Sequence, residues 1–365
     1  VPSKRINLPA RSRQPNLTGQ VSEDPLLREL APSKTKNRLK MVEVACNFCG
    51  SQSRQLVTSG MDYEYEVSDD TFQMMKCRDC GLVYMNPRPD VSELPVLYPP
   101  HYAPYNVESD FDACSRDSFY YKYVYWLIAT GITYFFDRFL PDRKTISALD
   151  IGCADGHSLN CMKMSRTKKV ETFGVDISEK AVARARENGH TAYVGRFEEI
   201  DLPHASFDVV YAGHVLEHVC DPVAFAAKAY DVLKPGGMFL LFTPNVGSID
   251  AKIFRDRRWG PYCFPRHWYL FDRKSMKLLA EKVGFELVQI QDFPTGSTWL
   301  YTMHSICKSS PKLKHLADKL FPLSGSMKVN AYNIFSNVVF TMLDLTILTL
   351  TGQTSNMGVA LRKPL

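Results

Sequence analysis

From about residue 145 onward, short apolar runs alternate with helix-like stretches. TISALDI at 145–151 precedes a glycine-containing turn and a helical segment. VETFGVD ends at Asp176 and leads into SEKAVARARENG, which opens on Ser178 and closes on Gly189. HTAYVG, FDVVYAG, DPVAFAAKAYDVLKPGG and MFLLFTP continue the pattern. Strands separated by helices pair in parallel, because each crossover carries a helix back over the sheet. The expected class is therefore α/β, with helices on both faces of a parallel sheet. DRKSMKLLAEKVGF adds a helix, FELVQIQDF a strand, and NMGVALRKP a last strand beyond an insertion at 295–352.

The first 145 residues follow different rules. Residues 1–40 hold nine Lys/Arg against three Asp/Glu, which more than accounts for the chain's net charge of +5. Rich in Pro and Ser and without apolar periodicity, they read as a disordered basic tail. The rest is close to neutral, which argues against a nucleic-acid partner, because phosphate backbones call for a basic face on the folded part. Residues 1–20 lack the apolar core of an export signal, so the expected location is cytoplasmic and reducing. The ten cysteines are then metal ligands or core residues rather than disulfides.

Four of them form two pairs, Cys46 with Cys49 and Cys77 with Cys80, each followed by a glycine. A C-x-x-C knuckle turns two thiolates toward one ion, and the glycine after it relieves the backbone. Two knuckles make the four-sulfur set that suits zinc, with iron the alternative in the same set, and leave no position for water, so the ion is expected to be structural. Residues 41–95 are expected to be this zinc ribbon. Residues 96–144 form an aromatic helical linker or cover, containing Tyr102, Tyr105 and the run FYYKYVYWLIATGITYFF. Within the insertion, 334–351 approaches membrane-spanning length, but Asn337, Asp344 and several threonines dilute it. A buried or lid helix is expected, and a surface-lying membrane contact stays open.

The turn ALDIGCADG at 148–156 and the acid Asp176, which ends the next strand, sit where a parallel sheet meets its ligand. Backbone N–H groups at such a turn receive polar ligand atoms, and a carboxylate after the second strand accepts bonds from a ribose diol. No GxxxxGK[ST] is present, which excludes a phosphate-loop ATPase.

Taken in order, ALDIGCADG, FGVDIS, FEEIDLPHASFDVVYAGHVLEHVCDP, LKPGGMFLLFTPN and LAEKVGF resemble class I S-adenosylmethionine-dependent methyltransferases over about residues 145–292. CNFCG…CRDCGLVYMNPRP resembles the zinc-ribbon head of a bacterial subgroup that modifies sugars, glycans and secondary metabolites. That subgroup is related to deoxysugar C-methyltransferases. The resemblance implies a Rossmann-like seven-stranded methyltransferase sheet, in a domain at 145–365 with a helical insertion before the last strand. It also implies S-adenosyl-L-methionine as cofactor. Asp150, Gly152, Cys153, Ala154 and Gly156 would form the turn for its methionyl part. Asp176 would take the ribose hydroxyls, with Ile177 beside the adenine. Phe197 and Glu198 would flank the adenine, and Gly213 and His214 would lie beside the sulfonium. Ala154 replaces the middle glycine of the family's turn, and Arg196 stands where an aspartate is common.

Methyl transfer to a hydroxyl or carbon acid needs a base, and histidine titrates in the useful range. His267 in PRHWYLF is the first candidate. It matches the histidine of the EHxxYF-like motif of deoxysugar C-methyltransferases, with Arg266 in place of the glutamate. Orienting its loop, or capping the helix near Asp272, is the competing role. His214 and His218 are alternatives that also suit cofactor packing and capping, and Glu217 is expected to bond locally. Arg255, Arg257, Arg258 and Arg266 surround Trp259 and would suit an anionic acceptor or a solvated loop. The favoured reading is methyl transfer to a small-molecule or glycan acceptor, nucleotide- or lipid-linked. Its alternatives are a zinc-ribbon RNA methyltransferase and a non-catalytic cofactor-binding scaffold.

Overall fold

The computed structural model describes residues 38–99, 102, 119–256, 258–323 and 331–365. Most of the expected basic tail, and Tyr105, lie outside the described residues. At the tail's end, Leu39 is buried and its N–H donates to Asp70 at 2.8 Å, so the ribbon begins slightly earlier than expected.

A seven-stranded mixed sheet forms the centre. Its strands are β6 (Thr145–Ile151), β7 (Lys169–Asp176), β8 (Thr191–Val194), β9 (Phe207–Gly213), β10 (Leu233–Pro244), β12 (Glu286–Asp292) and β13 (Asn356–Arg362). The spatial order is β12-β13-β10-β9-β6-β7-β8. The run from β10 to β8 is parallel, while β13 pairs antiparallel with both β10 and β12. The central strands are almost continuously apolar because helices cover both faces. Residues Glu179–Glu187 form a helix whose N-cap, Ser178, accepts from the Ala181 N–H, as the sequence indicates. Arg273–Val283 opens on a capping box between Asp272 and Ser275 and closes on Gly284 at φ 93°. Asp272, and not His267, therefore caps that helix.

The ribbon is β1 (Met41–Val42), β2 (Arg54–Gly60), β3 (Phe72–Cys77), β4 (Val83–Met85) and β5 (Arg88–Pro89). It does not stand apart from the residues that follow it. The C-terminal half lends it a strand, β11 (Tyr269–Leu270), which pairs antiparallel with β4. The Met85 N–H donates to the Trp268 carbonyl at 2.8 Å, and the Arg88 guanidinium lies 4.3 Å from the centre of the Trp268 ring. A single apolar core runs from Phe48, Phe72 and Leu82 of the ribbon through Trp268 to Phe225 and Phe239.

Among the described residues, the insertion contains the helices Gly296–Lys308, Lys314–Leu320 and Ala331–Thr351. The last was expected to be a buried or lid helix, with a surface-lying membrane contact left open; only 11% of its most apolar window is buried, and Phe335, Val338 and Met342 are exposed, which overturns the buried alternative alone.

Candidate functional site

The turn after β6 is built tightly. Gly152 has φ 74°, and a Cβ there would come within 2.6 Å of Val215, so only glycine fits. Gly156, at φ 90°, faces His190, and its missing side chain lets the helix His157–Lys163 start against that ring. Ala154 has φ 45°, a left-handed conformation that a glycine would hold without strain. The turn keeps it because the Ala154 N–H donates to Asp176 Oδ2 at 3.0 Å, while the Ser178 N–H donates to Oδ1 at 2.8 Å. Cys153 is buried against Gly174, so only its backbone takes part in the turn.

Asp150 and Asp176 end adjacent strands and are both buried. Burial, then the neighbouring Asp176 carboxylate, pushes Asp150 well above the usual carboxylate range. Burial also raises Asp176, against the backbone N–H groups that pull it down. Two carboxylates at the carboxyl edge form an acidic recess that would favour a bound cation-bearing group with hydroxyls. Ile177 is 47% exposed beside Asp176, an apolar platform at the right place for a flat ring. Phe197 does not serve as such a surface. It turns into the core against Phe225, so any contact with a ligand would come from its backbone. Glu198 is partly exposed and faces Arg196 at 3.6 Å. The Gly152 cradle, the two acids and the Ile177 face fit the methionyl, ribose and adenine parts of S-adenosylmethionine.

His214 follows β9 at φ 55°, strained for a residue with a Cβ. Its Nδ1 lies 3.2 Å from Glu217 Oε1, and its side chain is 55% exposed. Glu217 is fully buried and its other oxygen accepts from the Thr243 hydroxyl at 3.1 Å. Burial works to raise Glu217, but the His214 contact and charge outweigh it and pull the group down to about 2. The carboxylate therefore fixes the histidine, which presents Nε2 at the strand edge.

His267 is arranged differently. Its Nδ1 donates to the Pro261 carbonyl at 2.7 Å, and the ring meets His218 edge-on at 4.5 Å between centroids. Burial, then His218, lowers its pKa to about 3. A histidine so weakly basic is a poor proton acceptor at neutral pH. His218 Nδ1 sits between the Tyr98 oxygen at 3.0 Å and the Arg266 carbonyl at 3.1 Å. Tyr98 packs edge-on with Tyr102, which brings that segment to this cluster.

Arg266 is not a substrate-facing cation. It is fully buried, and its two terminal nitrogens bond Asp62 at 2.9 and 3.2 Å, with Glu64 at 3.1 Å. Of the other expected arginines, Arg255 and Arg258 are exposed and Arg257 lies outside the described residues. Sequence reasoning missed Asp62. Its only local signal was an acid in an otherwise ordinary ribbon loop.

The four ribbon thiols converge. Cys46 and Cys80 sulfurs are 3.4 Å apart, Cys49 and Cys77 sulfurs 3.5 Å. Four sulfurs around zinc at Zn–S distances near 2.3 Å lie about 3.8 Å apart, so the cluster needs only slight expansion. Gly50 and Gly81, at φ 72° and 86°, close the two knuckles through N–H bonds to the Cys46 and Cys77 carbonyls. Glu217, His218 and His267 also bring ligand atoms within 4.8 Å of one another.

Residues 122–290 match the family described as "Methyltransferase domain". This stretch is similar to S-adenosylmethionine-dependent methyltransferases. Among relatives of the domain is the 27-O-demethylrifamycin SV methyltransferase of Amycolatopsis mediterranei, 35% identical over 133 residues, covering 33% of this chain and 48% of the relative. Another is the tRNA U34 carboxymethyltransferase of Pseudoalteromonas translucida, 30% identical over 170 residues, covering 43% and 50%. The chain spans about half the length of these curated relatives. A solved phosphoethanolamine N-methyltransferase 2 of Haemonchus contortus, in complex with S-adenosyl-L-methionine, aligns at TM-score 0.47 with 18% identity, over 86% of this chain and 69% of its own.

Proposed function

We propose that the protein moves a methyl group from S-adenosylmethionine to a small-molecule or glycan acceptor, nucleotide- or lipid-linked, in the cytoplasm. The observation that carries the reading is the His214–Glu217 pair, set at the strand edge next to the Asp150–Asp176 recess. The bound cofactor supplies an electrophilic methyl on sulfur. The Gly152 turn and Asp150 hold its amino-acid end, Asp176 its ribose, and Ile177 its base, with Glu198 beside it. Gly213 would lie beside the sulfonium, where a Cβ would collide with the Tyr211 ring. His214 would take the acceptor's proton, and the buried Glu217 carboxylate would stabilise the imidazolium formed. His267 then acts by orienting its loop through the Pro261 carbonyl.

Cys46, Cys49, Cys77 and Cys80 hold a structural zinc in this reading. Its removal is expected to disorder the loop bearing His267, because β11 belongs to the ribbon sheet. Cys77→Ser should release the metal; full metal content in that variant by elemental analysis would remove the four-thiolate assignment.

The deciding experiment incubates the chain with cofactor carrying a labelled methyl and a fractionated extract of its source cell. Label in metabolites or glycans is expected, and His214→Ala should abolish it while leaving cofactor affinity by calorimetry intact. Label in RNA would overturn the acceptor class. Cofactor binding with no labelled product would favour a non-catalytic scaffold.

A further inference from the structure

The helix Ala331–Thr351 is inside out. Its buried residues are polar: Asn333, Ser336 and Asp344. Asp344 is its sole charged residue, and it is turned inward, accepting from the Thr295 N–H at 2.9 Å and the Trp299 indole at 3.1 Å. The outward face carries Tyr332, Phe335, Val338, Val339, Met342 and Leu350, between 44% and 80% exposed. A helix on the surface of a water-soluble domain shows the opposite polarity. At 1.5 Å per residue the apolar strip is about 31 Å long.

The hydroxyls on this face are also arranged for a dry environment. Thr346 and Thr349 are exposed, yet their side chains donate to the carbonyls of Met342 and Thr346 within the same helix, at 2.8 and 2.7 Å. A polar protein partner could use open hydroxyls, whereas hydrocarbon requires them satisfied internally. Exposed Lys312 and Lys319 precede the strip and supply charge for anionic headgroups. Helix Phe119–Phe139 exposes Tyr123, Trp126, Leu127 and Ile128. Its Phe135 meets Phe242, which in turn meets Phe293 just before the insertion.

We propose that the insertion helix lies in the surface of an anionic lipid bilayer, Phe335, Val338 and Met342 immersed and the polar side fastened to the domain. The helix does not span. Asp344 and a close approach, in which a Cβ on Gly296 would come within 2.7 Å of the Asn337 carbonyl, tie it lengthwise to Gly296–Lys308. Detaching it would expose the Asp344 carboxylate to hydrocarbon. The inference gives a location to the lipid-linked acceptor reading, and its test requires no acceptor.

The test is flotation of the zinc-loaded full chain with vesicles of phosphatidylcholine mixed with phosphatidylglycerol, against phosphatidylcholine alone. Flotation is expected with the mixed vesicles and weaker with the neutral ones. Phe335→Ser combined with Met342→Ser should lower partitioning by about tenfold or more. Both side chains are exposed, and unchanged cofactor affinity in the variant shows that it is folded. Wild-type chain that stays at the bottom of the gradient overturns the proposal. So does a dimer, seen by ultracentrifugation without vesicles, that the same double substitution dissociates. Loss of methyl transfer to lipid-linked acceptors with flotation intact would count against the acceptor reading alone.

Discussion

The carboxyl edge of the sheet and the loop around His267 carry the same chemical types, histidines beside acids, and put them to opposite uses. At the edge, His214 stays half in solvent with one carboxylate behind it. In the loop, His267 and Arg266 are buried and tied to carbonyls and to ribbon acids. Burial depresses the His267 ring and makes it a fixed strut, while His214 keeps its ring half in solvent. Residue type alone therefore does not separate base from brace; the desolvation around it does.

The largest way to break this comparison is at the ribbon. Asp62→Ala leaves the Arg266 guanidinium buried without its bidentate partner and should cost about 3–5 kcal/mol in denaturant unfolding. Replacing both partners by apolar residues of similar size should cost far less. A loss below about 1 kcal/mol for Asp62→Ala would mean that the pair does not hold the loop. At the sheet edge, Asp176→Ala should weaken cofactor binding by about ten- to a hundredfold, as expected for lost hydrogen bonds to a carboxylate. Calorimetry showing unchanged affinity would remove the ribose assignment.

Acidity probes the brace more gently. Because the folded state holds His267 near 3 and the unfolded chain near 6.5, the unfolded state binds the extra proton between those values. Stability contributed by neutral His267 is thus complete above about pH 6.5 and is lost on acidification, by at most about 1.4 kcal/mol per pH unit. His267→Asn, which retains a donor for the Pro261 carbonyl, should flatten that slope in unfolding curves taken across the range. A slope identical to wild type would show that other groups govern acid stability. The smallest expected effect is a gain. Ala154→Gly relieves a left-handed alanine and should raise stability by about 0.5–1 kcal/mol, read as a small rise in melting temperature.

The edge was legible in the sequence because its parts are local. Gly152, Gly156 and Asp176 lie within one strand–helix–strand unit, where spacing dictates position. His214 and Glu217 are three residues apart, although choosing His214 over His267 required knowing which ring is buried. The loop was not legible, since Asp62 and Arg266 are 204 residues apart and no periodicity links them. Two further placements were hidden for the same reason. Phe197 is set by packing against Phe225, and the insertion helix by a polar face that turned inward. Apolar content and length were visible in that helix, but the side on which its neighbours would sit was not.

The borrowed strand β11 has a consequence for synthesis of the chain. Val83–Met85 emerges from the ribosome about 180 residues before Tyr269–Leu270, which at ordinary translation rates is roughly ten to forty seconds. Throughout that interval β4 presents an unpaired strand edge next to a cysteine cluster, open to pairing with another nascent chain. A chaperone that shields this edge, or slow filling of it by a neighbouring polypeptide, would then decide how much of each new protein reaches its mature form.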